Sequence, residues 1–198
     1  RHWTRGEAMR HWLFWAMTPG LLAPSFISTS LFFHQVHLTE IKGWHLASYV
    51  ATYPVYSMFS VLSNFAAGSI ADRYGAARLL PFYLLPIGAA MLLFGVSTSF
   101  WLGPLALILI GITQGASQAM IGSFWPEYFG TRHLGAIRAF AVASMVFSTA
   151  VGPGVTGLLI DSGVGFETQC LWMGGYVAIV SLMFVEVSRR AHRARYSS

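Results

Sequence analysis

The sequence predicts an all-α membrane protein with six transmembrane helices. Three observations carry that reading: an apolar composition, six apolar runs of near-spanning length, and the sorting of basic residues onto one side. Of 198 residues, 55% are hydrophobic and only 10% are charged, against roughly 25% charged in a soluble domain. A chain of this length folded in water leaves much of its surface exposed and cannot hide so much apolar area. Its 20 Gly and 8 Pro are dispersed among apolar runs, which argues against a linker or a disordered chain. The lone Cys170 excludes an internal disulfide.

The spans are placed at 13–33, 46–71, 79–96, 101–124, 139–160 and 171–188. A helix needs about 20 apolar residues to cross about 30 Å of hydrocarbon; the third and sixth runs are the shortest. Membrane β-strands would instead alternate over about ten residues. The first span carries Pro19 and Pro24 and the second Pro54, each removing a helix hydrogen bond and permitting a kink. The third holds no strongly polar side chain. The fourth opens on Gly103-Pro104, where proline costs little. The fifth is uncharged, and the sixth meets its one acid, Glu186, at its end.

An even number of spans leaves both termini on one face, with segments 1–12, 72–78, 125–138 and 189–198. These hold Arg1, Arg5, Arg10, Arg73, Arg78, Arg132, Arg138, Arg189, Arg190, Arg193 and Arg195, which is 11 of the 12 basic residues; the other face has Lys42 with Glu40, Asp161 and Glu167. That sorting makes the first face cytoplasmic, and puts the protein in a cell (inner or plasma) membrane with both termini inside. It also accounts for the net charge of +5 without a nucleic-acid partner. Trp3, Trp12, Trp15, Trp44, Trp101, Trp125 and Trp172 fall near span ends, as in an aromatic belt. The chain opens on Arg1 with no cleavable signal peptide, and reads as a fragment or the later part of a longer chain.

Between the second and third spans stands Gly68-Ser69-Ile70-Ala71-Asp72-Arg73-Tyr74-Gly75-Ala76-Ala77-Arg78. Gly68 would let another helix approach closely. Asp72 ends the span and can pair with Arg73 or cap a helix. Gly75 supplies a tight turn, and Arg78 starts the next helix. This segment resembles the signature loop of the major facilitator superfamily, G-x-x-x-D-R-x-G-x-x-[RK], in which Gly68, Asp72, Arg73, Gly75 and Arg78 fit. The resemblance covers the whole chain and is nearest to bacterial members related to monocarboxylate carriers.

What the resemblance implies is half of a twelve-helix transporter, built of two inverted three-helix repeats. Pro126-Glu127-Tyr128-Phe129-Gly130 with Gly135 and Arg138 resembles the loop before the penultimate helix, and Gly152-Pro153-Gly154-Val155-Thr156-Gly157 that helix's glycine-rich stretch. Both point to the C-terminal half, with 1–12 as the end of the central cytoplasmic linker, 13–188 as the bundle and 189–198 as a basic tail. The missing N-terminal six-helix half is then a required partner, beside lipid, a small-molecule substrate and an open coupling proton or ion. Gly68-x-x-x-Asp72 and Gly157-x-x-x-Asp161 close the second and fifth spans as equivalent positions of the repeats. Gly152, Pro153 and Gly157 are assigned to helix packing.

A transporter needs polar side chains gathered on one face near the midplane. The second span offers Tyr53, Ser57, Ser60 and Asn64 at spacings of four, three and four; the fourth offers Gln114, Ser117 and Gln118. The first offers Thr18, Ser25, Ser28 and Thr29, and the fifth Ser144, Ser148 and Thr149. From these, Ser25, Thr29, His34, Tyr53, Ser57, Asn64, Gln114, Gln118 and Ser148 are the cavity candidates, while Asp72 and Arg73 would gate. Ser and Thr also bond back to their own helix carbonyls. No Asp, Glu, Lys or Arg lines the path, which departs from the pattern of many proton-coupled and monocarboxylate carriers and weakens an organic-anion assignment; any such charge would have to come from the missing half. His34, His37 and His45 lie close in sequence near the outer surface, yet no metal, cofactor or catalytic residue is implied. An intramembrane serine protease would need a Gly-x-Ser-Gly site and a deep histidine; Gly115-Ala116-Ser117-Gln118 lacks the second glycine. A non-transporting receptor or scaffold on the same fold is the remaining alternative.

Overall fold

The computed structural model describes residues 3–196, with side chains through Ala191. The helices are α1 (Arg5–Arg10), α2 (Trp12–Phe33), α3 (Gln35–Lys42), α4 (Leu46–Val50), α5 (Tyr53–Tyr74), α6 (Leu85–Val96), α7 (Leu102–Phe129), α8 (Leu134–Asp161) and α9 (Phe166–Tyr196). A 3₁₀ turn at Ala76–Arg78 joins α5 to α6, and the described residues contain no strand. Four helices, α2, α7, α8 and α9, are long and apolar enough to cross a membrane. Of the basic residues sorted to the cytoplasmic face, Arg1 and the side chains of Arg193 and Arg195 lie outside the described residues.

Apolar runs and helices do not share boundaries, because a helix ends at a cap and not where its apolar run ends. The stretch 125–138, read as a loop, is mostly helical: α7 continues to Phe129 and α8 begins at Leu134. Gly130, at φ 78°, stops α7, as Gly75, at φ 86°, stops α5. Both occupy positive φ that a side chain resists. The second run breaks at residues 51–52 into α4 and α5, and Pro54 falls in the first turn of α5 instead of kinking its middle. The third run is helical only from Leu85; residues 79–84 form turns, with Pro81 and Pro86 denying the backbone N–H groups a continuous helix would use. Pro19 and Pro24 do lie inside α2.

The helices pack mainly in three pairs, α5 with α7, α6 with α9 and α2 with α8, and α6 also touches α7 as α2 touches α9. Trp125 is fully buried, not a belt residue, because Phe14 lies 5.3 Å from it and Phe129 5.7 Å, ring centre to ring centre. Trp12, Trp15, Trp101 and Trp172 stay exposed. The N-terminal segment is tied down: Thr4 and Glu7 form a capping box on α1, and the Trp3 amide donates to the Phe129 carbonyl at 3.1 Å.

Candidate functional site

The loop after α5 is held from α7. The Ala76 amide, freed where Gly75 breaks the helix, donates to Glu127 Oε2 at 2.9 Å. Glu127 therefore caps the 3₁₀ turn from 51 residues away. The Arg78 guanidinium lies over the Tyr74 ring, 5.7 Å from its centre. Asp72 and Arg73 are exposed, and Asp72 forms no hydrogen bond or ion pair among the described residues, so the Asp72–Arg73 pairing open from sequence is not made. Around Gly68 an added Cβ would meet nothing within 4 Å, so no close approach is made there within this chain.

The tight seam lies elsewhere. A Cβ at Gly111 would sit 2.5 Å from the Tyr56 carbonyl oxygen, and one at Gly115 would overlap the Ser60 carbonyl and stand 2.7 Å from the Asn64 nitrogen. Ser63 Oγ donates across the seam to the Ile112 carbonyl at 2.6 Å. Two glycines one turn apart let α7 lie directly on the α5 backbone, the small-xxx-small device of membrane helices. The Gly111-x-x-x-Gly115 spacing is legible in the sequence, on the same helix as Gln114, Ser117 and Gln118.

The polar stripe runs beside this seam. Ser57 and Asn64 are exposed, as is Gln118, while Gln114 is half-buried; neither glutamine makes a hydrogen bond among the described residues. Tyr53 is half-buried and donates to Gln35 Oε1, tying α5 to α3. Phe32 on α2 stands 5.5 Å from both the Tyr53 and Tyr56 rings and is the aromatic link between α2 and α5.

The α2 and α8 candidates form a second group. Thr29 Oγ1 bonds back to the Ser25 and Phe26 carbonyls at 2.6 and 3.2 Å. Ser148 Oγ donates to the Leu22 carbonyl at 3.2 Å, so it is buried as an interhelical tie. A Cβ at Gly152 would meet the Phe26 carbonyl and Ser30 Oγ, each at 2.8 Å, whereas at Gly157 the nearest atom is His34 Nε2 at 3.6 Å. Gly152 thus marks the close approach of α2 and α8, and Gly157 an ordinary contact. Thr29, Phe32, Thr149 and Pro153 line a surface groove of about 650 Å³ between these helices. His34 Nδ1 lies 2.9 Å from the Ser30 carbonyl and its ring stacks on Phe166 at 5.9 Å, which places it where α2, α8 and α9 meet. Among the described residues no three His, Cys, Asp or Glu side chains converge as a metal-ligand set.

Both groups flank unpacked surface. Around Ser57 and Asn64, α5 exposes Met58, Val61, Leu62 and Phe65; α8 exposes Val142, Val146, Phe147 and Leu158. Four long apolar helices with such exposed faces fit a multi-pass membrane protein. Residues 8–197 match the family model of the Major Facilitator Superfamily, and the chain belongs to that family. It is similar to an Na(+), Li(+), K(+)/H(+) antiporter from Planococcus maritimus, with 28% identity over 176 residues, covering 82% of this chain and 39% of the relative. The chain thus spans less than half the length of that curated relative.

Proposed function

We propose that this chain is the C-terminal six-helix half of a secondary transporter that moves a small solute by alternating access. The observation that carries the reading is the pair of unpacked faces on α5 and α8, polar groups set among exposed apolar ones. Left in lipid, Ser57 and Asn64 on α5 lack partners, at a cost on the order of kcal/mol each, whereas Ser144, Ser148 and Thr149 on α8 already donate to helix carbonyls. A second six-helix bundle laid on both faces would close a cavity with Tyr53, Ser57, Asn64, Gln114 and Gln118 on its wall.

The helix pairing supports two inverted repeats, α2–α5–α6 and α7–α8–α9. Exchanging the repeats turns the α2–α8 pair into α7–α5, keeps α6–α9, and turns α6–α7 into α9–α2; all of these contacts are present. The same exchange relates α5 to α8, so the two faces left unpacked are equivalent ones. Asp72 and Arg73 then gate at the cytoplasmic end, where Asp72 is free to engage the other half. The relative's name supplies the first solutes to try, monovalent cations exchanged for protons. The one carboxylate within the apolar runs of this chain, Glu186, stands at the end of the sixth run, so a titrating acid near the midplane would come from the other half.

Liposomes holding this chain alone, loaded with Na⁺, Li⁺ or K⁺ and a pH-sensitive dye, are expected to show no saturable exchange; co-assembly with an N-terminal half is expected to restore it. Robust exchange by the chain alone would instead favour a carrier built from two copies. Orientation is checked separately by cysteine labelling, since native Cys170 is buried. Cysteines at Ser99 and Ser162 are expected to react with an impermeant maleimide from outside, and cysteines at Thr131 and His133 only after permeabilisation. The reverse pattern would invert the topology.

A further inference from the structure

A cavity of about 400 Å³ lies between α2, α8 and α9, away from the α5–α7 stripe. Its volume is at the lower end of the roughly 300–1,000 Å³ of small-ligand sites. Most of its wall is apolar, from residues such as Ala23, Phe26, Trp172 and Tyr176. Two polar residues of the wall are the exception. Thr156 is 0% exposed and Gln169 2%, and both Thr156 Oγ1 and Gln169 Oε1 lack a hydrogen-bond partner. The other polar groups there are used: Ser148 Oγ donates to the Leu22 carbonyl and the Tyr176 hydroxyl to the Pro19 carbonyl.

The Gln169 amide is fixed in sense. Its Nε2 donates to two carbonyls, Thr156 at 3.3 Å and Val164 at 3.1 Å, which leaves the oxygen as the free atom. A buried acceptor and a buried hydroxyl, on two residues joined by the Gln169 Nε2 bond to the Thr156 carbonyl, cost about 1–3 kcal/mol each when unpaired. They ask for a group that donates to Gln169 and exchanges a hydrogen bond with Thr156. An ammonium would be desolvated against an apolar wall at high cost, so the donor is neutral. Thr156 stands five residues before the end of α8 at Asp161, about 7.5 Å below it, and Ser148 is eight residues, about 12 Å, further in. The polar end is therefore near the outer end of the helices and the apolar body runs inward. Trp172, Tyr176 and Val155 on the wall are exposed on a membrane-spanning surface, so entry is sideways from the bilayer.

We propose that this cavity is a binding site for a neutral, hydroxyl-bearing amphipathic molecule taken from the membrane, its hydroxyl held between Gln169 and Thr156 and its apolar body along α2 and α9. The site is separate from the transport path proposed above and does not depend on it.

The test is photolabelling of the protein in lipid nanodiscs by a diazirine-bearing octanol, compared with the corresponding octane. Peptide mapping is expected to find the alcohol on the cavity wall, three- to tenfold above the alkane, the worth of one hydrogen bond. Thr156→Val keeps the shape and breaks no bond that the structure makes, so it is expected to fold at least as stably and to erase the preference. Met at Gln169 (Gln169→Met) removes the acceptor as a second variant. An ordered water held by the two groups is the rival occupant, and it predicts equal labelling by alcohol and alkane. Equal labelling, labelling outside the cavity, or a preference that survives in Thr156→Val overturns the proposal.

Discussion

Gly115→Ala is expected to cost about 1–3 kcal/mol or more in the unfolding of the purified protein in detergent, the range for forcing a methyl group into a full interior. The new Cβ would overlap the Ser60 carbonyl and press on the Asn64 nitrogen. Both are backbone atoms, which cannot rotate aside as a side-chain tip would. Relief comes only by parting α5 from α7, which also stretches the Ser63 hydrogen bond to Ile112. Gly122→Ala on the same helix is the control. Nothing lies within 4 Å of a Cβ there, so alanine is expected to be neutral or stabilising by up to about 1 kcal/mol. Equal effects at the two positions would mean that the α5–α7 seam sets no penalty of its own.

The second large effect concerns the contact between α3 and α9. Lys42 is tied by an ion pair to Glu167, linking α3 to α9. The lysine side chain is 0% exposed and the glutamate 45%. Solvent reaches one partner, so the pair itself is worth little; the asymmetry lies in what each deletion leaves behind. Glu167→Ala strands an ammonium in the interior and is expected to cost about 1–3 kcal/mol. Lys42→Met removes the buried charge and leaves a carboxylate that can turn to water, so it should cost clearly less. The double variant should then resemble Lys42→Met. A thermal-unfolding cycle over the four proteins reads this directly, and equal losses in the two single variants would contradict it.

The parts of the fold legible in the sequence are those set by uninterrupted apolar runs. Helices α2, α7, α8 and α9 declare themselves because solvent exclusion acts on the whole run at once. The late start of α6 is also written locally, in Pro81 and Pro86, but an apolar average hides it. Trp125 was misread because a tryptophan near a span end fits an interfacial belt and a buried aromatic cluster equally well; only the positions of Phe14 and Phe129 decide. The site is less legible for a related reason. The stripe on α5 follows from helix periodicity, and Asp72 and Arg73 from a short motif. The bond from Ala76 to Glu127 and the tie between Lys42 and Glu167 join residues 51 and 125 positions apart, and no local pattern carries such a partner. The faces of α5 and α8 gain meaning only once the other helices are seen to leave them bare.

The brevity of α6 has a consequence for how the chain is made. Its 12 residues rise about 18 Å, well short of about 30 Å of hydrocarbon. The turns before it close short backbone hydrogen bonds, such as Phe82 N–H and Tyr83 N–H to the Leu79 carbonyl, and Ile87 N–H turns to Thr113 Oγ1 on α7. In the finished protein Leu80, Tyr83 and Leu84 are covered by protein, and α6 rests on α7 and α9. During translation that shelter does not yet exist, since α9 starts only at Phe166. The third segment therefore gains its full protein cover only once α9, the last helix made, is in place, and a chain truncated before Phe166 would leave its α9-facing side bare.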